Sequence, residues 1–392
     1  MKLPIFISFI SALIFNLSSI CTANPLTEAA IIEPPEGFSV VQAQAANNAP
    51  FVALNNGGLE FWLFDARQKA FKPIAKNAVG DWDHRLHHTQ WSDDDLVLFR
   101  NWEGVIDIVD PNDLGAKTSF KADLKSAPLR MSQWISKYSM LVDETDFYRS
   151  TEGTLSKAAK PNPLAHTVQT GLIIQDDKVI TSGFHDQTIK VWSLPDGNLL
   201  HDWKVGGWLN KRNITTIALV NGHLLLASQS GHVEERSLNS GEKLWSARPC
   251  REHTNFYYSS QFSQSLSVNV NDGVFFSCGL RVGYIELQSN SWTVTPLNAA
   301  IKDKDAASEL IAVETIQGTP LAVLIFANGK TLVIEKKKKQ VAQRLNNVRP
   351  GTAGVTYIPA SQQLFLAGQG SIHLYQLRQD LEGHSTTPES AY

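Results

Sequence analysis

Val179–Trp203 reads VITSGFHDQTIKVWSLPDGNLLHDW. A strand running from Val179 meets a tight turn at His185-Asp186-Gln187. A second strand ends at Trp192, Pro195-Asp196-Gly197 makes another turn, and a third strand follows. Short runs rich in β-branched and aromatic residues, closed off by Asp, Gly and Pro, are the sequence form of antiparallel strands. The branched side chains fit a pleated surface, and Pro and Gly supply the turn dihedrals.

Weaker copies of the pattern lie on both sides. Aligned on the turn between the second and third strands, they fall at Gly58, Gly104, Asp146, Gln187, Gly231, Gly283, Gly329 and Gly370, at intervals of 46, 42, 41, 44, 52, 46 and 41 residues. A repeat near this period, with four strands per unit, builds a ring of blades. The long interval marks one insertion before Gly283, and the third unit, Met131–Lys157, is degenerate. No helical periodicity is sustained, so the chain reads as all-β.

Val179–Trp203 resembles one blade of a WD-repeat β-propeller. The resemblance implies a single β-propeller of four-stranded blades. Eight units are counted here, with seven, the commoner number in that family, as the alternative. It also implies a hydrogen-bonded tetrad, which maps onto His166, Ser182, Asp186 and Trp192. In such a set the carboxylate orients the imidazole, which bonds the hydroxyl and satisfies polar groups that are costly to bury alone. Its role is structural. Other units replace the tryptophan position by Val109, Arg236 or Tyr375. Ser277-Cys278-Gly279 lines up with Thr181-Ser182-Gly183, and Cys250 lies in the loop entering that unit. The resemblance thus puts both thiols on one face and favours a Cys250–Cys278 bridge over two buried free thiols.

The ends of the chain bound the compartment. Lys2, the apolar run Ile5–Leu17 and the segment Ser18–Ala23 have the layout of a secretory signal peptide. Cleavage after Ala23 would start the mature chain at Asn24. Ile20 before Cys21 fits a lipid-anchoring box poorly. The expected organisation is a signal peptide over 1–23, an N-terminal extension over 24–37, the propeller over 38–379 and a flexible tail over 380–392. Phe38–Gln44 is either the first strand of unit one or the strand that completes the last blade. A periplasmic location follows, and paired cysteines suit an oxidising compartment. With Lys+Arg 35 against Asp+Glu 38 and a formal charge of −3, nothing electrostatic points to nucleic acid.

Asp81–Asp95, DWDHRLHHTQWSDDD, is the most unusual cluster. His84, His87 and His88 with Asp81 and Asp83 are ligand types suited to zinc or copper. Their spacing matches no named metal motif, and adjacent histidines on a strand point to opposite sides. A partner contact and a structural role compete with the metal reading. Partner-binding candidates are Trp82, His84, His87 and His88 on the loop into blade two, with His185 and Arg281 on the turns. Leu194–Trp203 and Leu238–Trp245 also look like the turn-plus-tryptophan repeats of quinoprotein propellers, a repeat shared with a non-catalytic outer-membrane assembly scaffold. The vicinal cysteines and calcium carboxylates of the enzymes are absent, and no C-x-x-C-H occurs. Lys336–Lys339 reads as an exposed strand-to-strand turn. The function expected is a non-catalytic exported module that binds or scaffolds protein partners, with no cofactor. It could be an accessory to a periplasmic respiratory or envelope-assembly complex. The alternative is a metal- or cofactor-dependent enzyme on the same scaffold.

Overall fold

The computed structural model describes residues 24–56, 60–75, 90–92, 94–100, 105–115, 117–122, 133–142, 147–151, 154–157, 166, 169–206, 213–251, 254–257, 269–270, 273–289, 291–298, 301, 308–352 and 354–378. They form eight four-stranded antiparallel blades in a ring. Blade 4, the stretch quoted first, consists of Gln169–Gln175, Lys178–Gly183, Thr188–Ser193 and Leu199–Lys204. Its strands run from the channel outward, and every blade repeats this meander. The second-to-third turns and the loops entering each blade therefore lie at the same end of the strands.

The count of eight rests on packing as well as strands. Eight apolar clusters each join two neighbouring blades, from Phe51, Leu63, Trp91 and Val97 between blades 1 and 2 to Val52, Phe64, Phe365 and Leu374 between blades 8 and 1. Each sheet is thus covered on both faces, which is why inner strands such as Leu321–Phe326 are continuously apolar and buried. Outer strands such as Gln340–Arg344 are mixed and partly exposed. Full burial of a side chain like Phe365 stabilises a seam by about 2–3 kcal/mol. The degenerate third unit is a real blade of short strands, Gln133–Ile135, Met140–Val142, Phe147–Thr151 and Thr154–Lys157. Its outer strand also pairs in parallel with that of blade 2, Thr154 opposite Lys121 and Leu155 opposite Ala122.

Two expectations need correction. The ring is closed by Leu26–Ile32, which pairs antiparallel with Ile372–Leu377 as the outer strand of blade 8. Residues 24–37 are therefore not an extension outside the propeller. Of the two readings of Phe38–Gln44, the closing outer strand is excluded and the first strand of unit one is borne out, as Gln42–Ala45, the inner strand of blade 1. The insertion before Gly283 lies between the first and second strands of blade 6, where Asn269–Val270 pairs in parallel with Leu219 and Val220 of blade 5. Gly283 itself is within the strand Arg281–Gln288, and the turn it was taken to mark is Gly279-Leu280, between Cys278 and its cross-strand partner Arg281. The stretches 1–23 and 380–392, read as leader and tail, lie outside the described residues. Among the described residues no helix is long and apolar enough to cross a membrane.

Candidate functional site

The loop entering blade 4 brings His166 beneath its second-to-third turn. His166 Nδ1 lies 2.8 Å from Asp186 Oδ2, and Nε2 lies 2.8 Å from Thr181 Oγ1. Trp192 Nε1–H donates to the same Thr181 oxygen at 3.2 Å. One assignment satisfies all three contacts: Nδ1–H donates to the carboxylate, and Nε2 accepts from the threonine hydroxyl. That assignment requires a neutral imidazole. Burial pushes the His166 pKa below its ordinary value, opposed by the Asp186 hydrogen bond and charge.

The hydroxyl of this set is Thr181, not Ser182. Register explains the difference. Trp192 is paired with Val179, and side chains alternate along a strand, so Thr181 is its diagonal neighbour on the same face. Ser182 points the other way, 3.2 Å from Thr170 Oγ1. Gly183 leaves room for the carboxylate. A Cβ there would lie 1.9 Å from Asp186 Oδ1 and 2.4 Å from His166 Nδ1. Thr181→Val is expected to cost about 1–3 kcal/mol, by stranding the indole N–H and the ring nitrogen. Ser182→Ala should cost less, and paired thermal melts check the order.

The linkage to pH has a definite sign. A histidine whose folded pKa lies below its unfolded value of about 6.5 contributes stability that is complete above that pH. The contribution is lost as pH falls toward the folded value, because the unfolded chain takes up the proton first. The expected result is a Tm that declines on acidification below about pH 6.5, with a shallower decline in His166→Gln. Identical pH profiles for the two proteins would sink this reading.

In blade 6 a covalent bond connects the corresponding elements. Cys250, in the entering loop, is disulfide-bonded to Cys278 at the end of the second strand, with Cα atoms 6.3 Å apart, within the span a bridge requires. Both cysteines are buried. The Gly279-Leu280 turn follows directly. Asn298 braces it from the loop leaving the blade, since its Nδ2 donates to Leu280 O at 3.0 Å and its Oδ1 accepts from Val282 N at 3.1 Å.

His185 and Arg281 are exposed on their turns, and the His185 ring stands edge-on to Phe184 at 4.9 Å. Where blades 8 and 1 meet, an open groove of about 650 Å³ is bordered by Pro34, Pro35, Phe38, Arg349, Gly368 and Gly370. Trp82, His84, His87 and His88 lie outside the described residues. Among the described residues no three His, Cys, Asp or Glu side chains converge as a metal site. Lys336–Lys339 forms the third-to-fourth turn of blade 7 on the opposite face, with Lys338 paired to Glu335 at 3.0 Å and Lys336 over the Tyr284 ring. The tryptophan repeat does dock between blades: Trp203 of blade 4 covers Gly241 of blade 5, where a Cβ would lie 2.4 Å from the indole. Sequence reasoning missed Thr181, Leu280 and the groove. A turn aligned three residues earlier would have exposed Leu280.

Comparison with known proteins supports the architecture. No family model matches the chain, and no curated protein matches it by sequence. Among solved structures, it is similar to the β-propeller domain of Cps50 (Swd1) from Myceliophteria thermophila, at 10% identity and a TM-score of 0.52, over 90% of this chain and 100% of that one. It is also similar to BamB from Moraxella catarrhalis, at 14% identity and a TM-score of 0.58, over 90% of this chain and 99% of that one. At these identities the likeness is one of fold, and the fold is a β-propeller.

Proposed function

We propose that this chain is an exported, non-catalytic propeller that binds a protein partner through the face carrying the second-to-third turns and the blade-entering loops. It would serve as an accessory to a periplasmic respiratory or envelope-assembly complex. One observation carries the reading. In blade 4, the groups on this face with catalytic chemistry, His166, Asp186 and Thr181, are bonded to one another, and the imidazole and threonine are buried. Among the described residues, the short turns of this face expose His185, Leu280 and Arg281, with Phe184 half-buried behind the His185 ring. A buried, mutually satisfied His–Thr–Asp set holds a loop and has no substrate-facing nucleophile, whereas exposed apolar and arginine groups on short turns suit a protein interface. The Cys250–Cys278 bridge supports an oxidising compartment, and the likeness to BamB is compatible with an envelope protein.

Affinity purification from the native envelope tests the proposal. A specific protein should be retained by the wild type, lost with Phe184→Ser/His185→Ala and kept by Lys337→Glu/Lys338→Glu on the opposite face. The reverse pattern would refute the assigned face. Stoichiometric bound metal, present in the purified protein and lost in the His84/His87/His88→Ala triple variant, would instead favour the enzyme.

A further inference from the structure

Five large apolar side chains are exposed among the described residues, and four of them, Ile31, Leu199, Leu200 and Leu244, lie on outer strands at the flank of the ring. The fifth, Leu280, stands at the apex of a two-residue hairpin turn, 56% exposed. Such turns ordinarily carry Asn, Asp or Gly, whose backbones suit the geometry and whose side chains suit water. Gly279 meets the backbone demand with a φ of 55°. Leu280 meets no demand of the fold that Ser or Asn would not meet as well.

The apex is also fixed from both sides. Cys278, two residues earlier, is covalently held to Cys250, and Asn298 grips the Leu280 carbonyl and the Val282 amide. A side chain so constrained loses little further freedom when it is covered, which is how preorganisation raises affinity. The same bridge gathers positive charge. Arg281 follows the apex, Arg251 follows Cys250, and Arg248 lies two residues before it, its Nε–H donating to Ser230 O on the neighbouring blade's turn at 3.2 Å. All three arginines are exposed. The described parts of these segments, 248–251 and 278–282, hold no Asp or Glu, while Glu252 lies outside the described residues. Arginine is a residue type enriched in interface hot spots, and here three arginines belong to the segments that the bridge joins to an exposed leucine.

We infer that Leu280 is the apolar anchor of a docking site whose arginines select an acidic, extended segment of a partner protein bearing a large apolar residue among Asp and Glu. The inference rests on the proposal that this face binds a protein, and adds the chemistry of what is bound. The leucine supplies the desolvated centre, and Arg248, Arg251 and Arg281 supply the charge-assisted rim.

The test uses a displayed library of random linear peptides selected on the immobilised, oxidised mature protein. Selection should enrich Asp and Glu around a central Leu, Phe or Met. A consensus peptide followed by fluorescence anisotropy should bind about tenfold or more weakly to Leu280→Ser and to Arg281→Glu. Lys337→Glu/Lys338→Glu should bind it as the wild type does. Circular dichroism and a thiol count confirm that each variant is folded and bridged. The inference is overturned by no consensus, by a neutral or basic one, or by a consensus peptide indifferent to Leu280. It is equally overturned if phosphatidylglycerol–phosphatidylethanolamine vesicles bind the wild type and Leu280→Ser alike and displace the peptide, since the surface would then be a lipid contact. If the envelope partner is lost with Phe184→Ser/His185→Ala but kept by Leu280→Ser/Arg281→Glu, the face survives and the anchor fails.

Discussion

A chain shortened to begin at residue 33 is expected to aggregate, or to melt far below a chain that begins at Asn24. The missing strand, Leu26–Ile32, makes six residue pairings with Ile372–Leu377. Leu26 is buried in the cluster between blades 7 and 8, and its backbone is clasped by Gln343, whose Oε1 accepts from Leu26 N and whose Nε2 donates to Leu26 O, both at 3.0 Å. Glu28 Oε1 reaches His373 Nδ1 at 2.6 Å and accepts from Asn346 Nδ2 at 3.3 Å. Burial of Leu26 contributes about 2 kcal/mol, and the ladder and side-chain hydrogen bonds about 1 kcal/mol each. Their sum approaches the whole stability of an ordinary domain, roughly 5–15 kcal/mol. The loss also uncovers the edge of Ile372–Leu377, which then offers unpaired N–H and C=O groups to other chains. Size-exclusion chromatography and thermal melts of the truncated protein, beside Leu26→Asp at full length, measure both effects. A monomeric truncated chain melting within a few degrees of the intact one would refute this account of closure.

The second large effect is expected from the bridge. Cys250 and Cys278 are separated by 28 residues. On the chain-entropy account, closing a loop of that length restricts the unfolded ensemble enough to stabilise the fold by about 3.5 kcal/mol. Because Cys250 sits in the loop entering blade 6, its release also frees that loop from the strand end carrying Leu280. Cys250→Ala/Cys278→Ala, and the wild type under strong reductant, should both show a Tm lower by several degrees. The denatured, unreduced mature protein should titrate no free thiol. Two free thiols, or a Tm insensitive to reductant, would contradict the structure. The double variant should also weaken any partner held by Leu280 and Arg281, even at temperatures where the ring is intact.

What could be read from sequence was what repeats locally. Val179–Trp203 carries its own strands and turns, and aligning its copies gave the blade architecture and eight units, including the short third one. What could not be read depended on distant pairing. LTEAAII at 26–32 fully buries only Leu26 and leaves its other residues exposed or half-buried, with no turn or repeat partner beside it to mark it as a strand. It becomes a strand because a partner 345 residues away supplies the ladder and His373 meets Glu28. Thr181 and Ser182 are adjacent hydroxyls, and only the register against Trp192 decides which faces His166. In blade 6, Gly283 sits inside the strand Arg281–Gln288, while the turn is made by Gly279 and Leu280. The exposed leucine was thus passed over in favour of Arg281 alone. The loop holding His84, His87 and His88 carried the densest chemistry in the sequence and lies outside the described residues.

Closure by the first strand also sets a clock. A ribosome delivers Leu26–Ile32 before any blade exists, and its partner Ile372–Leu377 arrives only after all the other blades. Each blade between them can form its own hairpins as it emerges, but the ring stays open for nearly the whole of that time. A product interrupted anywhere before blade 8 has no place for its opening segment, and remains a curved stack with two raw ends. Completion is therefore written into the topology: only a chain that reaches Leu377 is sealed.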